Sequence, residues 1–237
     1  MPFFDMHNHS LFGVDDGAQT EAHMCRMIDA SYADGVRSMC LTPHFHPGYF
    51  GNNREKSEEA FRILQAYAAE AYPDLELYLG NELRYSPDCI SWLDDGACRT
   101  MNGSRYCLVD FSEAESENKI VGGIDRLLNA GYHPILAHAE RYRNLDRKCK
   151  AIHDMRENGV IIQVDAQSVL GGFGLRIQMR TKRILQLGLA DLIGSDAHDT
   201  SHRPPELSLS FQKISAKYGT DYAESMFCHN AGKLIQK

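Results

Sequence analysis

The sequence predicts an α/β fold, a distorted seven-stranded TIM-like (β/α) barrel, and three observations carry that expectation. Seven strand-like runs alternate with helical segments along 237 residues, the pattern of a parallel sheet with helices outside it. Histidines and carboxylates recur at or just beyond the C-terminal end of one run after another. In a closed α/β barrel those ends converge on one face, where active sites are built, whereas an open sheet spreads them along an edge. Seven strands are one short of the usual eight, hence the distortion.

The elements follow in order. Phe3-Phe4 opens the first strand, which continues through Asp5-Met6-His7-Asn8-His9. Residues i and i+2 of a strand point to one face, so His7 and His9 offer two imidazoles to one point. Ser10 to Gln19 reads as a polar turn carrying Asp15, Asp16 and Gly17. From Thr20, an N-cap, Met24, Met27, Ile28 and Ser31 fall at helical spacing until Gly35 ends the segment. Val36 to Thr42 is a buried strand, broken by the loop Pro43-His44-Phe45-His46-Pro47-Gly48. Arg54 to Tyr72 is helical, Glu76 to Leu79 is a strand ending at Gly80-Asn81-Glu82, and a short helix covers Cys89 to Leu93. After the Asn102-Gly103 turn, Tyr106 to Asp110 is a strand ending in a carboxylate.

The second half repeats the alternation. A helix over Lys119 to Asn129 leads to a strand over Pro134 to Ala137 with His138 at its end. A helix over Asp146 to Asn158 leads to a strand over Val160 to Val164 with Asp165 at its end. Leu175 to Gln186 is helical, Ala190 to Ile193 is a strand entering Gly194-Ser195-Asp196-Ala197-His198, and Glu206 to Lys237 reads as helical. Without a low-complexity linker or a repeat, one domain over 1–237 is the economical expectation.

Composition excludes several functions. A formal charge of -7 argues against a general nucleic-acid binder, whose affinity comes from clustered Lys and Arg. The start carries no leader-like pattern and no apolar run reaches about 18 residues, so the expectation is a cytoplasmic protein without membrane insertion. Seven cysteines, odd in number and without a C-x-x-C pair, fit scattered reduced thiols.

The strand-end set is His7, His9, His44, Glu82, Asp110, His138, Asp165, Asp196 and His198. Imidazoles and carboxylates without thiolate suit Mn, Fe, Zn or Mg. The set has more than twice the ligands of a four-coordinate ion, so it implies two or three ions bridged by a carboxylate, with Glu82 or Asp110 as the bridge. Clustered divalent ions lower the pKa of a bound water and neutralise oxygens in an in-line displacement, which suits phosphate-ester hydrolysis. Arg141, three residues after His138, and Arg203, five after His198, can reach the same mouth and match a pair of phosphate oxygens.

In order, Asp5-x-His7-x-His9, Asp15-Asp16-Gly17, Thr42-Pro43-His44, Gly80-x-Glu82, Ala137-His138-Ala139-Glu140-Arg141-Tyr142 and Gly194-Ser195-Asp196-Ala197-His198 resemble the PHP (polymerase and histidinol phosphatase) superfamily. More narrowly they resemble the manganese-dependent bacterial tyrosine-protein phosphatases encoded with capsule and exopolysaccharide genes. Val14 to Gly17 and Gln163 to Ser168 are also similar to that subfamily. The resemblance spans Asp5 to at least Arg203 and implies a three-metal site. One metal would be held by His7, His9, Glu82 and Asp196, with Glu82 bridging to a second completed by Asp110 and His138. A third would use His44 and His198, with Asp16 or Asp15. Arg141 and Arg203 would hold the phosphoryl group, and a metal-bridging hydroxide would be the nucleophile. Where the subfamily usually has Glu before Phe-Ser, this chain has Asp110.

The implied reaction is hydrolysis of phosphotyrosine on a protein, and the implied partner is the tail of an autophosphorylating tyrosine kinase of polysaccharide biosynthesis. Phenolate is a better leaving group than an aliphatic alkoxide, because tyrosine's pKa is about 10. No cysteine has Arg at i+6, so the Cys-x5-Arg phosphatase signature is absent. Two alternatives stand beside this reading: a small-molecule phosphomonoesterase such as a histidinol phosphatase, and a catalytically weak metal-binding module that docks a kinase tail.

Overall fold

Nine strand segments form in the computed structural model, which describes residues 2–51 and 53–235. They are β1 (Phe3–Asn8), β2 (Val36–Leu41), β3 (His44–Phe45), β4 (Glu76–Leu79), β5 (Glu82–Arg84), β6 (Tyr106–Asp110), β7 (His133–Leu136), β8 (Ile161–Asp165) and β9 (Leu192–Gly194). Every pairing is parallel. One sheet has the order β1-β2-β4 and the other β3-β5-β6-β7-β8-β9.

The expected count of seven differs because β3 and β5 are strands, not loops. Thr42-Pro43 separates β2 from β3, and Gly80-Asn81 separates β4 from β5; proline lacks the N–H a ladder needs. Pairing nevertheless continues across both breaks. Thr42 N–H donates to Asn8 O (2.9 Å), Gly80 N–H to Leu41 O (2.9 Å) and Glu82 N–H to Pro43 O (3.2 Å). At the opposite edge Asn8 bridges Ala197 in parallel. Asp196 N–H donates to His7 O (2.8 Å) and His9 N–H to Ala197 O (3.0 Å). The result is a curled parallel sheet in a mixed α/β fold.

Alternation decides which residues face inward. Cys107 and Val109 of β6, Leu136 of β7, Ile162 and Val164 of β8 and Ile193 of β9 belong to the large core that also contains the helices' apolar faces. Leu108, Ile135 and Leu192 belong to a smaller core with Phe4, Met6 and, from the C-terminal helix Asn230–Leu234, Ala231 and Leu234. Successive residues on this second row turn polar toward the strand ends: Leu108 is followed by Asp110, and Ile161 by Gln163 and Asp165. The sheet's interior is therefore apolar at one end and ionisable at the other.

Most expected helices form. Thr20 caps Glu21–Ala33, its hydroxyl accepting His23 N–H, and helices cover Arg54–Ala71, Cys89–Asp94, Glu117–Asn129 and Leu175–Gln186. The helix expected from Asp146 starts instead at Lys150, because the Asp146 carboxylate accepts the N–H groups of Lys148 (2.8 Å) and Ala151 (3.0 Å) from outside it. Pro47–Phe50, in the expected loop, and Ala166–Leu170 are additional short helices. The C-terminal stretch breaks at Gly219 (φ 98°) between Leu207–Tyr218 and Thr220–Glu224. Gln236 and Lys237, part of the expected helix, lie outside the described residues, as does Met1. All seven cysteines are free thiols, and among the described residues no helix is long and apolar enough to cross a membrane.

Candidate metal centre

The C-terminal strand ends bring nine of the ten expected ligands into three overlapping or adjoining places. His9, Asp16, His44 and His198 form one group of possible ligand atoms; His7, His9 and Glu82 a second; Glu82, Asp110 and His138 a third. Within each group the atoms lie within 4.8 Å of one another. Asp196 adjoins the second, its Oδ1 3.4 Å from Nε2 of both His7 and His9. Two corners use left-handed backbone at non-glycine residues, His138 (φ 33°) and Asp196 (φ 50°), a strain concentrated at functional turns.

Asp15 takes a different part. Its Oδ2 accepts His9 Nδ1–H (2.8 Å) and His44 N–H (2.9 Å), and its Oδ1 accepts Gly17 N–H (2.9 Å). Asp16 Oδ1 instead lies 3.4 Å from Nε2 of both His44 and His198. Of the two acids left open by the sequence, Asp16 faces the imidazoles and Asp15 holds them.

Hydrogen bonds behind the rings fix where the lone pairs point. Gln163 Nε2 donates to Asp165 Oδ1 (2.9 Å) while its Oε1 accepts His138 N–H (2.8 Å). That oxygen also lies 3.2 Å from His7 Nδ1, so Nδ1 carries the proton and Nε2 the lone pair. The Asp15 carboxylate does the same for His9, and the Asp196 carbonyl oxygen, 2.9 Å from Nδ1, for His198. The Nε2 atoms of His7 and His9 are 3.1 Å apart, and buried His198 Nε2, 3.4 Å from Asp16 Oδ1, has no well-aligned hydrogen-bond partner among the described residues. In His7, His9 and His198 the ring is thus backed by an acceptor and turns its other nitrogen inward, as a divalent ion requires of histidine ligands, whereas His44 Nδ1 and His138 Nε2 lie against Glu82 itself (2.7 and 2.9 Å).

Charge leads to the same fit. Burial would raise Glu82, yet His44, His7 and His138 hold its carboxyl well below the usual range. Burial would lower His9, yet Asp15 and Glu82 raise it well above its ordinary value. The buried carboxylates draw positive charge into this place, which protons or divalent ions can supply. Asp110 is pushed up to about 6 by burial and then by the Glu82 charge. Its Oδ1 is 3.9 Å from His138 Nε2 and its Oδ2 2.9 Å from Arg84, so this shorter acid is shared between the centre and an arginine.

Arg141 and Arg203 both reach the rim. Arg141 pairs with Asp165 Oδ2 (2.5 Å) and Asp196 Oδ2 (2.9 Å), and Arg203 pairs with the same oxygen of Asp196. Asp165, one of the strand-end acids, therefore anchors Arg141 and lies outside the three ligand groups. Nε of both arginines is buried without a hydrogen-bond partner among the described residues, two charged donors that an anion could take.

The structure adds Gln163 and Arg84, which the strand-end set does not contain. The signal was available in strand periodicity: Gln163 shares a face with Asp165, and Arg84 with Glu82. Two glycines complete the site by close approach. A Cβ on Gly17 would lie 2.0 Å from His9 O, and one on Gly194 would lie 2.8 Å from His7 Cβ and 2.9 Å from Gln163 Nε2.

Fold and site together define a curled parallel α/β scaffold carrying a buried histidine–carboxylate cluster able to hold metal. Residues 3–236 match the family model described as capsular polysaccharide synthesis, CpsB/CapC. The chain belongs to that family, which bears out the resemblance to the capsule-type tyrosine phosphatases. It is 32% identical over 236 residues to tyrosine-protein phosphatase CpsB of Streptococcus pneumoniae, covering 98% of this chain and 97% of that one. Tyrosine-protein phosphatase YwqE of Bacillus subtilis is 25% identical over 232 residues, covering 98% and 91%. A solved structure from work on YwqE of Bacillus subtilis and CpsB of Streptococcus pneumoniae, described as metal-dependent tyrosine phosphatases, superposes with TM-score 0.89 at 25% identity over 98% of this chain and 94% of that one. A phosphotriesterase homology protein from Escherichia coli, at TM-score 0.64 and 12% identity over 99% of each chain, shares the fold alone.

Proposed function

We propose that this chain is a metal-dependent protein-tyrosine phosphatase, acting on phosphotyrosine in a protein of polysaccharide biosynthesis. One observation carries the reading: three groups of ligand atoms linked through His9 and Glu82 sit beside two arginines with unpartnered Nε donors. The first ion is assigned to His7, His9, Glu82 and Asp196, the second to Glu82, Asp110 and His138, and the third to His44, His198 and Asp16. Asp15 orients His9. Manganese is the first metal to test, with Fe, Zn and Mg compatible with the same nitrogen and oxygen donors. When bound, such ions supply Lewis acidity toward phosphoryl oxygens and lower the pKa of a water.

The chain's own residues do the rest. Arg141 and Arg203 exchange part of their contact with Asp196 for the phosphoryl oxygens, which orients the ester and offsets its charge. Gln163, Asp15 and the Asp196 carbonyl keep Nδ1 of three imidazoles protonated, so their Nε2 atoms stay basic. Departure of a phenolate, whose conjugate acid has a pKa of about 10, needs little help from a general acid.

Phosphotyrosine is assigned ahead of histidinol phosphate because the relatives that match nearly the whole chain are named tyrosine-protein phosphatases. The partner that fits is the tail of an autophosphorylating kinase, in the cytoplasm, acted on by one domain over the whole chain. The seven-stave barrel reading of that domain counts β2 with β3, and β4 with β5, as one stave each. The test is phosphate release from a phosphotyrosine peptide and from histidinol phosphate by metal-loaded protein, before and after EDTA. The expected result is a large kcat/KM preference for the peptide, abolished by chelation and restored by Mn. Preference for histidinol phosphate would overturn the substrate, and peptide binding without phosphate release would make the chain a docking module.

A further inference from the structure

A cleft of about 880 Å³ opens beside the candidate metal centre, and Arg141 belongs to both. Its lining includes six arginines, Arg141, Arg143, Arg147, Arg176, Arg180 and Arg183, against two acids, Glu113 and Glu140. That local excess of positive charge stands out on a chain of net charge -7. Several of these charges are already used. Arg141 pairs with Asp165 and Asp196, Arg143 pairs with Glu113 (3.0 Å), and Arg180 donates to the backbone carbonyls of Tyr142 and Leu145. Glu140 is buried. Arg147, Arg176 and Arg183 are exposed and have no acidic partner among the described residues.

The helix Leu175–Gln186 explains why the charges form a row. Thr181, Ile184 and Leu185 are its buried face. Arg176, Met179, Arg183 and Gln186, at spacings of three and four, share the opposite face and line the cleft. Leu175 and Met179 remain 69% and 61% exposed, an apolar patch set among guanidinium groups. The row begins at the metal centre, because Phe173, just before the helix, stacks under the Arg141 guanidinium at 4.1 Å. From Arg176 to Gln186 it runs about 15 Å, the span of about four or five extended residues.

We infer that this cleft binds an anionic segment of the substrate polypeptide flanking the scissile phosphotyrosine, with Arg147, Arg176 and Arg183 meeting its charges and Leu175 and Met179 an apolar side chain between them. The assignment rests on the phosphatase reading for the position of the phosphotyrosine, at Arg141. Charge complementarity selects the occupant: unpaired guanidinium groups favour carboxylates or further phosphates, and the interleaved apolar patch favours a peptide over a plain polyanion.

The experiment compares three phosphotyrosine peptides, flanked on either side by neutral residues, by glutamates, or by a second phosphorylated residue, on wild type and on the variant R147E/R176E/R183E. Circular dichroism and thermal melting verify that the variant folds; an Arg→Ala set replaces it if it does not. Wild type should favour the anionic peptides in kcat/KM by about tenfold, mainly through KM, and the variant should lose that ratio. Comparing the glutamate and second-phosphate arms assigns the anion. Binding is read separately by fluorescence anisotropy of the same peptides carrying a non-hydrolysable phosphonate. A wild type that neither binds nor turns over anionic peptides in preference to the neutral one overturns the cleft assignment while leaving the phosphatase reading intact. A variant that keeps the preference, or an oligonucleotide of equal charge that binds more tightly than the peptides, overturns it too. Preferential binding without turnover of any peptide counts against the phosphatase reading alone.

Discussion

Replacing Gln163 with leucine isolates the control that a residue behind the candidate metal centre exerts over the proposed ligands in front of it. Leucine keeps the volume but removes the acceptor for His7 Nδ1 (3.2 Å) and for His138 N–H (2.8 Å), and the donor to Asp165 (2.9 Å). Two buried donors left unpaired cost about 1–3 kcal/mol each, or about 2–6 kcal/mol together. At about 2–4 °C per kcal/mol for a chain of this size, Tm should fall by at least about 4 °C. With no acceptor at Nδ1, His7 is free to carry its proton on Nε2, where it is useless as a ligand. Loss of such a supporting partner weakens metal affinity about 10–100-fold. Isothermal titration with Mn, elemental analysis and calorimetry measure the two effects independently. Gln163→Glu returns the acceptor but sets a like charge against Asp165, so it should regain metal affinity while Tm stays low. Wild-type metal affinity in Gln163→Leu would refute the reasoning, since the tautomer argument would then carry no energy.

His7→Ala and His9→Ala each remove a converging Nε2 and should lower the bound-metal count and abolish turnover; full activity in either breaks the ligand assignment. Gly17→Ala would press a methyl group to 2.0 Å from His9 O. Its strain of about 1–3 kcal/mol should appear as a lower Tm together with impaired metal binding, whereas an unchanged melt would mean that the Asp15–Gly17 turn is not held against His9. The Asp199 carboxyl is held down at about 2, because the Ser201, His202 and Arg203 N–H groups outweigh the effect of partial burial. A depressed carboxyl stabilises fully above its unfolded value of about 4 and loses that contribution as pH falls through its folded value. Protection of the 201–203 amides, corrected for intrinsic exchange, should therefore fall between about pH 4 and pH 2 in wild type, and Asp199→Asn should flatten that dependence; parallel profiles would rule the carboxylate out.

What the sequence determined was periodic or terminal. Alternating runs and helical spacing marked β6 and the helix Leu175–Gln186 to the residue. Polar residues at strand ends named all but Asp16 of the candidate ligands gathered in three groups, because a strand's end is a local property and parallel strands bring like ends together; Asp16, in the early loop, came from the resemblance. Tertiary structure decided the division of labour among them. Asp15 and Asp16 are neighbours in sequence, yet one lies behind His9 and the other faces His44 and His198. Asp165 reads like any strand-end acid, but Arg141, brought from the turn after β7, makes it an anchor, with the Gln163 amide two residues back on the same strand as a second partner. The extra segments β3 and β5 formed because pairing with neighbouring strands outweighs the breaks at Pro43 and Gly80-Asn81. Which lone pair an imidazole presents, and which arginine remains unpaired, depends on contacts between residues far apart in sequence. Those contacts exist only once the sheet has curled.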